Sequence, residues 1–120
     1  MPPSYQEAAP FGANVGGANP AFFAIMAGAE FDGWLTVGIT SGDTVGALSS
    51  IGLDFDGWTA SSGLTTDNGA VFWMSPDDGP SDSAVIAQVT VAGAFTASVN
   101  AQGRSTSGDD WKAGGITFSA

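Results

Sequence analysis

Twelve acidic residues face only Arg104 and Lys112 in this chain of 120 residues, which has no His and no Cys. Many of the acids sit in turn-like strings: Asp54-Phe55-Asp56-Gly57, Asp67-Asn68-Gly69, Asp77-Asp78-Gly79 and Gly108-Asp109-Asp110. Carboxylates and carbonyls in loops are what Ca²⁺ takes, about six to eight oxygens at a time. Asp77 and Asp78, joined by Asp82, are the best candidate metal ligands. None of these strings has EF-hand spacing, because none ends in a bidentate Glu at the twelfth position. Asp-Gly and Asn-Gly also satisfy ordinary turn chemistry. Calcium is therefore an option, and no other cofactor is implied.

The chain is poorly equipped for catalysis. Without His it lacks the commonest general base and the commonest transition-metal ligand, and without Cys it lacks thiolate chemistry and disulfides. A Ser or Thr nucleophile would need Lys112 or a carboxylate as its base. Glu7 and Glu30 are the only glutamates. The adjacent Asp77 and Asp78 would point to opposite faces of an extended chain, unlike the acid and base of a glycosidase. The phosphate loops G-x-G-x-x-G and G-x-x-x-x-G-K are missing. The expectation is a protein that is not an enzyme.

Binding is better provided for. Trp58 and Trp111 sit beside polar loops, where an indole can stack on a sugar ring or anchor a protein interface. Trp73 lies in an apolar run and reads as core. Arg104, in Asn100-Ala101-Gln102-Gly103-Arg104-Ser105, can tie down an acidic loop of its own chain or pair with a neighbouring subunit. Tyr5 and Phe11 can anchor the N-terminal segment on a surface. A net charge of −10 repels phosphate backbones, so nucleic acid is not an expected partner. No stretch reaches the roughly 18 apolar residues of a membrane span. Met1 is followed by Pro-Pro-Ser-Tyr-Gln-Glu, without the features of a signal peptide. The chain reads as cytosolic, a virus component, or a module cut from a longer secreted protein, with an extracellular or particle surface favoured.

The elements that must position these residues are mostly strands. A 43% hydrophobic content with four Trp and eight Phe argues for a folded core rather than disorder. Eighteen Gly and six Pro argue for many turns and little helix. Residues 1–18, broken by Pro2, Pro3, Pro10, Gly12, Gly16 and Gly17, read as an extended arm that docks on its own core or on a neighbour. Asn19-Pro20 is a helix start, and Ala21 to Ala27 would form one short helix stopped by Gly28. Period-two alternation then marks Trp34–Thr40, with Leu35, Val37 and Ile39 on one face, and Ile51–Phe55. Ala70–Met74 is apolar on both faces and reads as a central strand. Ser83–Val91 and Phe95–Ala101 alternate on either side of Ala92-Gly93 and predict a hairpin. Gly103 to Asp110 reads as a polar loop, and Gly115–Ser119 as a last strand. Phe31-Asp32-Gly33-Trp34 recurs as Phe55-Asp56-Gly57-Trp58, two similar corners with an aromatic on each side of an Asp-Gly bend. The expectation is an all-β domain over residues 19–120, an antiparallel sandwich or small barrel of six to seven strands, with one short helix near the N-terminus.

Several of these strings carry a resemblance. They are Phe31–Thr40, Ile51–Phe55, the segment Gly69-Ala70-Val71-Phe72-Trp73-Met74-Ser75-Pro76-Asp77-Asp78-Gly79-Pro80, Ala87–Val91 and Asn100–Ser105. Together they resemble a β-rich module that recurs in large uncharacterised proteins of marine microbes and algae. The likeness covers residues 11–120 and is most specific at Phe-Trp-Met-x-Pro-Asp-Asp-Gly-Pro. It implies a structural or surface role and brings no catalytic or binding residue with it. The functional expectation is a self-assembling, homo-oligomeric module of a shell, filament, capsid decoration or extracellular layer, with itself or a larger assembly as partner. The alternative is a carbohydrate-binding module that presents Trp58, Trp111 and loop Asp residues to a polysaccharide, with or without Ca²⁺.

Overall fold

The alternating strings do become extended chain, but in shorter pieces than their periodicity suggests. A computed structural model describes every residue from Met1 to Ala120. Its strands are β1 (Trp34–Leu35), β2 (Leu48–Ile51), β3 (Ala70–Trp73), β4 (Ala87–Gln88), β5 (Thr96–Arg104) and β6 (Asp110–Ser119). They pair antiparallel as three separate two-stranded sheets: β1 with β4, β2 with β3, and β5 with β6. The chain is β-rich with little helix, and its sheets do not close into a barrel.

The helix expected over Ala21–Ala27 does not form. Two 3₁₀ turns take its place, Pro20–Phe22 and Ala27–Phe31, and a third spans Pro76–Asp78. The start signal itself works, since Asn19 Oδ1 accepts the Ala21 N–H at 3.0 Å. So short a run cannot offset the cost of helix nucleation, and Phe22, Phe23 and Ile25 lose rotamer freedom in a helix. Tertiary packing decides instead. Phe22 meets Phe11 edge-on, with ring centroids 5.5 Å apart, while Ile25 is left exposed.

Strand pairing differs from the local reading in three places. Ile51–Phe55 is not one strand: β2 ends where Gly52 takes φ +68, which sends Ile51 outward while Leu53 and Phe55 turn into the core. β3 has one partner and is not central, so Phe72 and Met74 stay exposed. The hairpin across Ala92-Gly93 is absent. β4 pairs with β1, and β5 pairs with β6 over nearly its whole length. Ala92-Gly93 lacks the positive φ angles that a tight two-residue hairpin turn takes. The β5–β6 turn has its left-handed residue in Gly108 (φ +92), whose N–H donates to Ser105 O at 2.9 Å.

The core is small, with only fifteen residues buried. Leu35, Trp58 and Leu64 form its centre, and Leu53, Phe55, Val71 and Val89 pack around them. Residues 1–18 lie along this body as part of the same chain. Met1 pairs with Leu64 through both backbone directions, at 2.7 and 2.9 Å. Ser4 N–H donates to Thr59 O, and Tyr5 N–H to Thr90 O, each at 2.9 Å. Val15 forms a parallel bridge to Leu35.

Candidate functional site

Beginning with the acids, Asp77 and Asp78 lie on the Pro76–Asp78 turn and Asp82 in the bend that follows, all three exposed. Nowhere do three acidic side chains converge as a cation's ligands would. Other carboxylates order the backbone. Asp43 accepts from the Ala47 and Leu48 amides at 3.0 and 2.8 Å, and these donors hold its carboxyl below the ordinary value. Asp54 Oδ1 accepts the Gly57 N–H at 3.1 Å.

The most buried acid is one that sequence reasoning passed over. Asp32 is 0% exposed. Its Oδ1 accepts the Glu7 N–H at 2.9 Å and its Oδ2 the Ala13 N–H at 2.7 Å, so a single carboxylate clasps the N-terminal arm at two points. Burial pushes this carboxyl above the ordinary range; the amide donors oppose the shift only in part. Its own carbonyl accepts Gln88 Nε2 at 2.8 Å. The repeated Phe-Asp-Gly-Trp string was the signal available for it.

The candidate binding residues divide. Trp58, expected at a binding surface, is instead 1% exposed and belongs to the core, with its Nε1 donating to Pro2 O at 2.8 Å. A tight turn, with Trp58 N–H on Phe55 O at 3.1 Å, swings the indole inward beneath the arm. Phe11 packs on Phe22 and so anchors the arm within the chain. Tyr5 is partly exposed, and its hydroxyl donates to Glu7 Oε2 at 2.8 Å. Arg104 Nε donates to Asp110 Oδ1 at 3.0 Å, an exposed pair across the end of the β5–β6 ribbon. Its partner is therefore intramolecular, and the carboxylate raises the guanidinium's pKa further.

Trp111 remains available, 47% exposed on that same ribbon. Register places Ala97 opposite Phe118, Val99 opposite Ile116, Ala101 opposite Ala113 and Gly103 opposite Trp111. Directly opposed residues share a face, so these eight form one apolar row. The other face carries Thr96 and Ser119, Ser98 and Thr117, Gln102 and Lys112, and Arg104 and Asp110. A bulge lies between the two halves, where Asn100 Oδ1 accepts the Gly115 N–H at 2.9 Å. The Trp111 ring lies across Gly103, since a Cβ on that glycine would come within 2.9 Å of the indole. Phe118, at the other end of the row, is 43% exposed. Ala97 alone in the row is buried.

The ribbon shares no sheet with the body. Its strands hydrogen-bond to each other and to no other strand. The flanking bonds, Phe95 with Ala120 and Ser105 with Asp109, stay within it too. On the body itself, Phe23, Trp34, Val85, Val89, Glu30 and Gln88 help to line an open depression of about 600 Å³. No protein-family model matches this chain, and no curated protein and no solved structure matches it.

Proposed function

We propose that the chain is a non-enzymatic structural module that works by contact and assembly, as part of a shell, filament, capsid decoration or extracellular layer. One observation carries this reading: the long β5–β6 ribbon presents an apolar face whose two large aromatics, Trp111 and Phe118, are nearly half exposed. A lone two-stranded hairpin is marginally stable in water and needs a further layer over its apolar side. Exposed aromatics on an apolar face are what interfaces bury. The antiparallel sandwich belongs to this proposal, with its second layer supplied by whatever seats on the ribbon. The resemblance to a β-rich module of large uncharacterised proteins implies a structural or surface role of the same kind, and the acidic loops face solvent or Ca²⁺.

The experiment is the particle size of the full chain by light scattering or sedimentation. Discrete oligomers or ordered particles are expected. A strict monomer at every concentration that is retained on a polysaccharide column would select the carbohydrate-binding alternative, which with Trp58 in the core rests on Trp111.

A further inference from the structure

We infer that the occupant of the ribbon's apolar face is the same face of a second copy of this chain, in a two-fold pair. This rests on the assembly reading above and specifies its partner.

The first support is area. The chain exposes 7501 Å², whereas a compact monomer of 11.9 kDa exposes about 6,000 Å². The molecule is correspondingly elongated, 44 × 30 × 24 Å.

The second support is charge. Residues 1–95 hold Glu7, Glu30 and eight Asp, with no Lys or Arg. Residues 96–119 hold Arg104 and Lys112 against Asp109 and Asp110, so the ribbon is neutral. Two copies meeting through their bodies would bring like charge together. Two ribbons meeting face to face do not, and they leave the acidic bodies at the outside of the pair.

The third support is shape. The row is bulky at its ends, with Trp111 lying across Gly103 and Phe118 opposite Ala97, and between them it holds the larger pair Val99 and Ile116 beside the small pair Ala101 and Ala113. A two-fold axis through the middle sets the Phe118 end of one copy on the Trp111 end of the other, and Val99 and Ile116 of one on the small Ala101 and Ala113 of the other, with the sheets about 10 Å apart. Pairing through the ribbon's edge is disfavoured by the bulge at Gly114 and Gly115, because bulges twist and blunt an edge.

The test uses the full chain in sedimentation velocity over a dilution series, beside the variants Trp111→Lys and Ser98→Lys. Both add the same charge to the ribbon, the first on the apolar face and the second on the polar face. Emission from the buried Trp34 and Trp58 checks that the body stays folded. The expected result is a particle of twice the monomer mass, weakened at least about tenfold by Trp111→Lys and unchanged by Ser98→Lys. Because the chain has no Cys, Ala113→Cys should also link to itself through a short bis-maleimide that spans about 10 Å, a gap too wide for a direct disulfide, while Thr117→Cys should not. An assembly indifferent to Trp111→Lys, or one growing into open-ended polymers, overturns the two-fold ribbon pair while leaving assembly itself intact. A monomer throughout overturns both.

Discussion

Phe31-Asp32-Gly33-Trp34 and Phe55-Asp56-Gly57-Trp58 are the same four residues with different fates. Both tryptophans are buried, so the inward indole is common to the two corners. The other positions diverge. In the first copy Asp32 is fully enclosed and Phe31 is 53% exposed; in the second Asp56 is exposed and Phe55 packs on the core. The cause is what lies over each bend. Residues 4–13 of the arm cross the first, where Gly33 N–H donates to Tyr5 O at 2.9 Å and Asp32 takes the Glu7 and Ala13 amides. The second bend is ordered from within, by Asp54 on the Gly57 amide. An Asp-Gly corner thus carries no fixed role for its carboxylate. A carboxylate becomes a clasp only where unpaired backbone donors are brought to it.

The comparison can be broken or sharpened by substitution. The largest effect is expected at what the copies share. Trp34→Ala and Trp58→Ala should each cost about 3–5 kcal/mol in urea unfolding, the range for emptying a large aromatic site. A small loss at either position would mean that the two indoles are not equivalent. Next come the acids, where the copies should separate. Asp32→Ala leaves two amides without an acceptor, at about 1–3 kcal/mol each, and should speed hydrogen exchange at Glu7 and Ala13. Asp56→Ala should stay within about 0.5 kcal/mol of the parent.

A smaller effect is expected from pH. Burial raises the Asp32 pKa, so its contribution to stability is full below the ordinary carboxylate value and is lost as pH rises through the folded value. Asp43 is the counter-case, because its amide donors lower its pKa. Its contribution is present above the ordinary value and is lost as pH falls through the folded one. Urea melts across the acid range should therefore show the stability gap to Asp32→Asn narrowing with rising pH and the gap to Asp43→Asn widening. Parallel trends would remove the difference in environment. Smallest of all, Phe31→Ala should cost well under the about 3–5 kcal/mol expected for Phe55→Ala, since half of the Phe31 surface is already in water.

The strand content, the turn-forming glycines and the Asn19 cap were legible because each follows from residues within a few positions of one another. Asn19 captures the Ala21 amide whatever the rest of the chain does. The alternation of Ala97, Val99 and Ala101 announced β5 with its apolar face. Pairing was not legible in the same way. Ser83–Val91 and Phe95–Ala101 alternate equally well, and alternation says which face is apolar without saying which neighbour takes it. The candidate site was legible only in part. Trp111 and Arg104 were named, while Phe118 became visible as Trp111's companion only once β5 and β6 were in register. Trp58 looked available because Asp56-Gly57 and Thr59 flank it, and that polarity belongs to the turn that drives the indole inward.

What the sequence alone determined about this protein is its chemical repertoire and its local grammar: no imidazole, no thiol, two cations, short strands and abundant turns. The tertiary structure alone decided that Asp32 is a buried clasp, that β5 leaves β4 for β6, and that Trp111 and Phe118 stay nearly half exposed on one face of the ribbon. The physical reason is range. Caps, turns and alternation are set by atoms close along the chain, whereas burial and pairing are set by which distant segment arrives, and local pattern does not encode that choice.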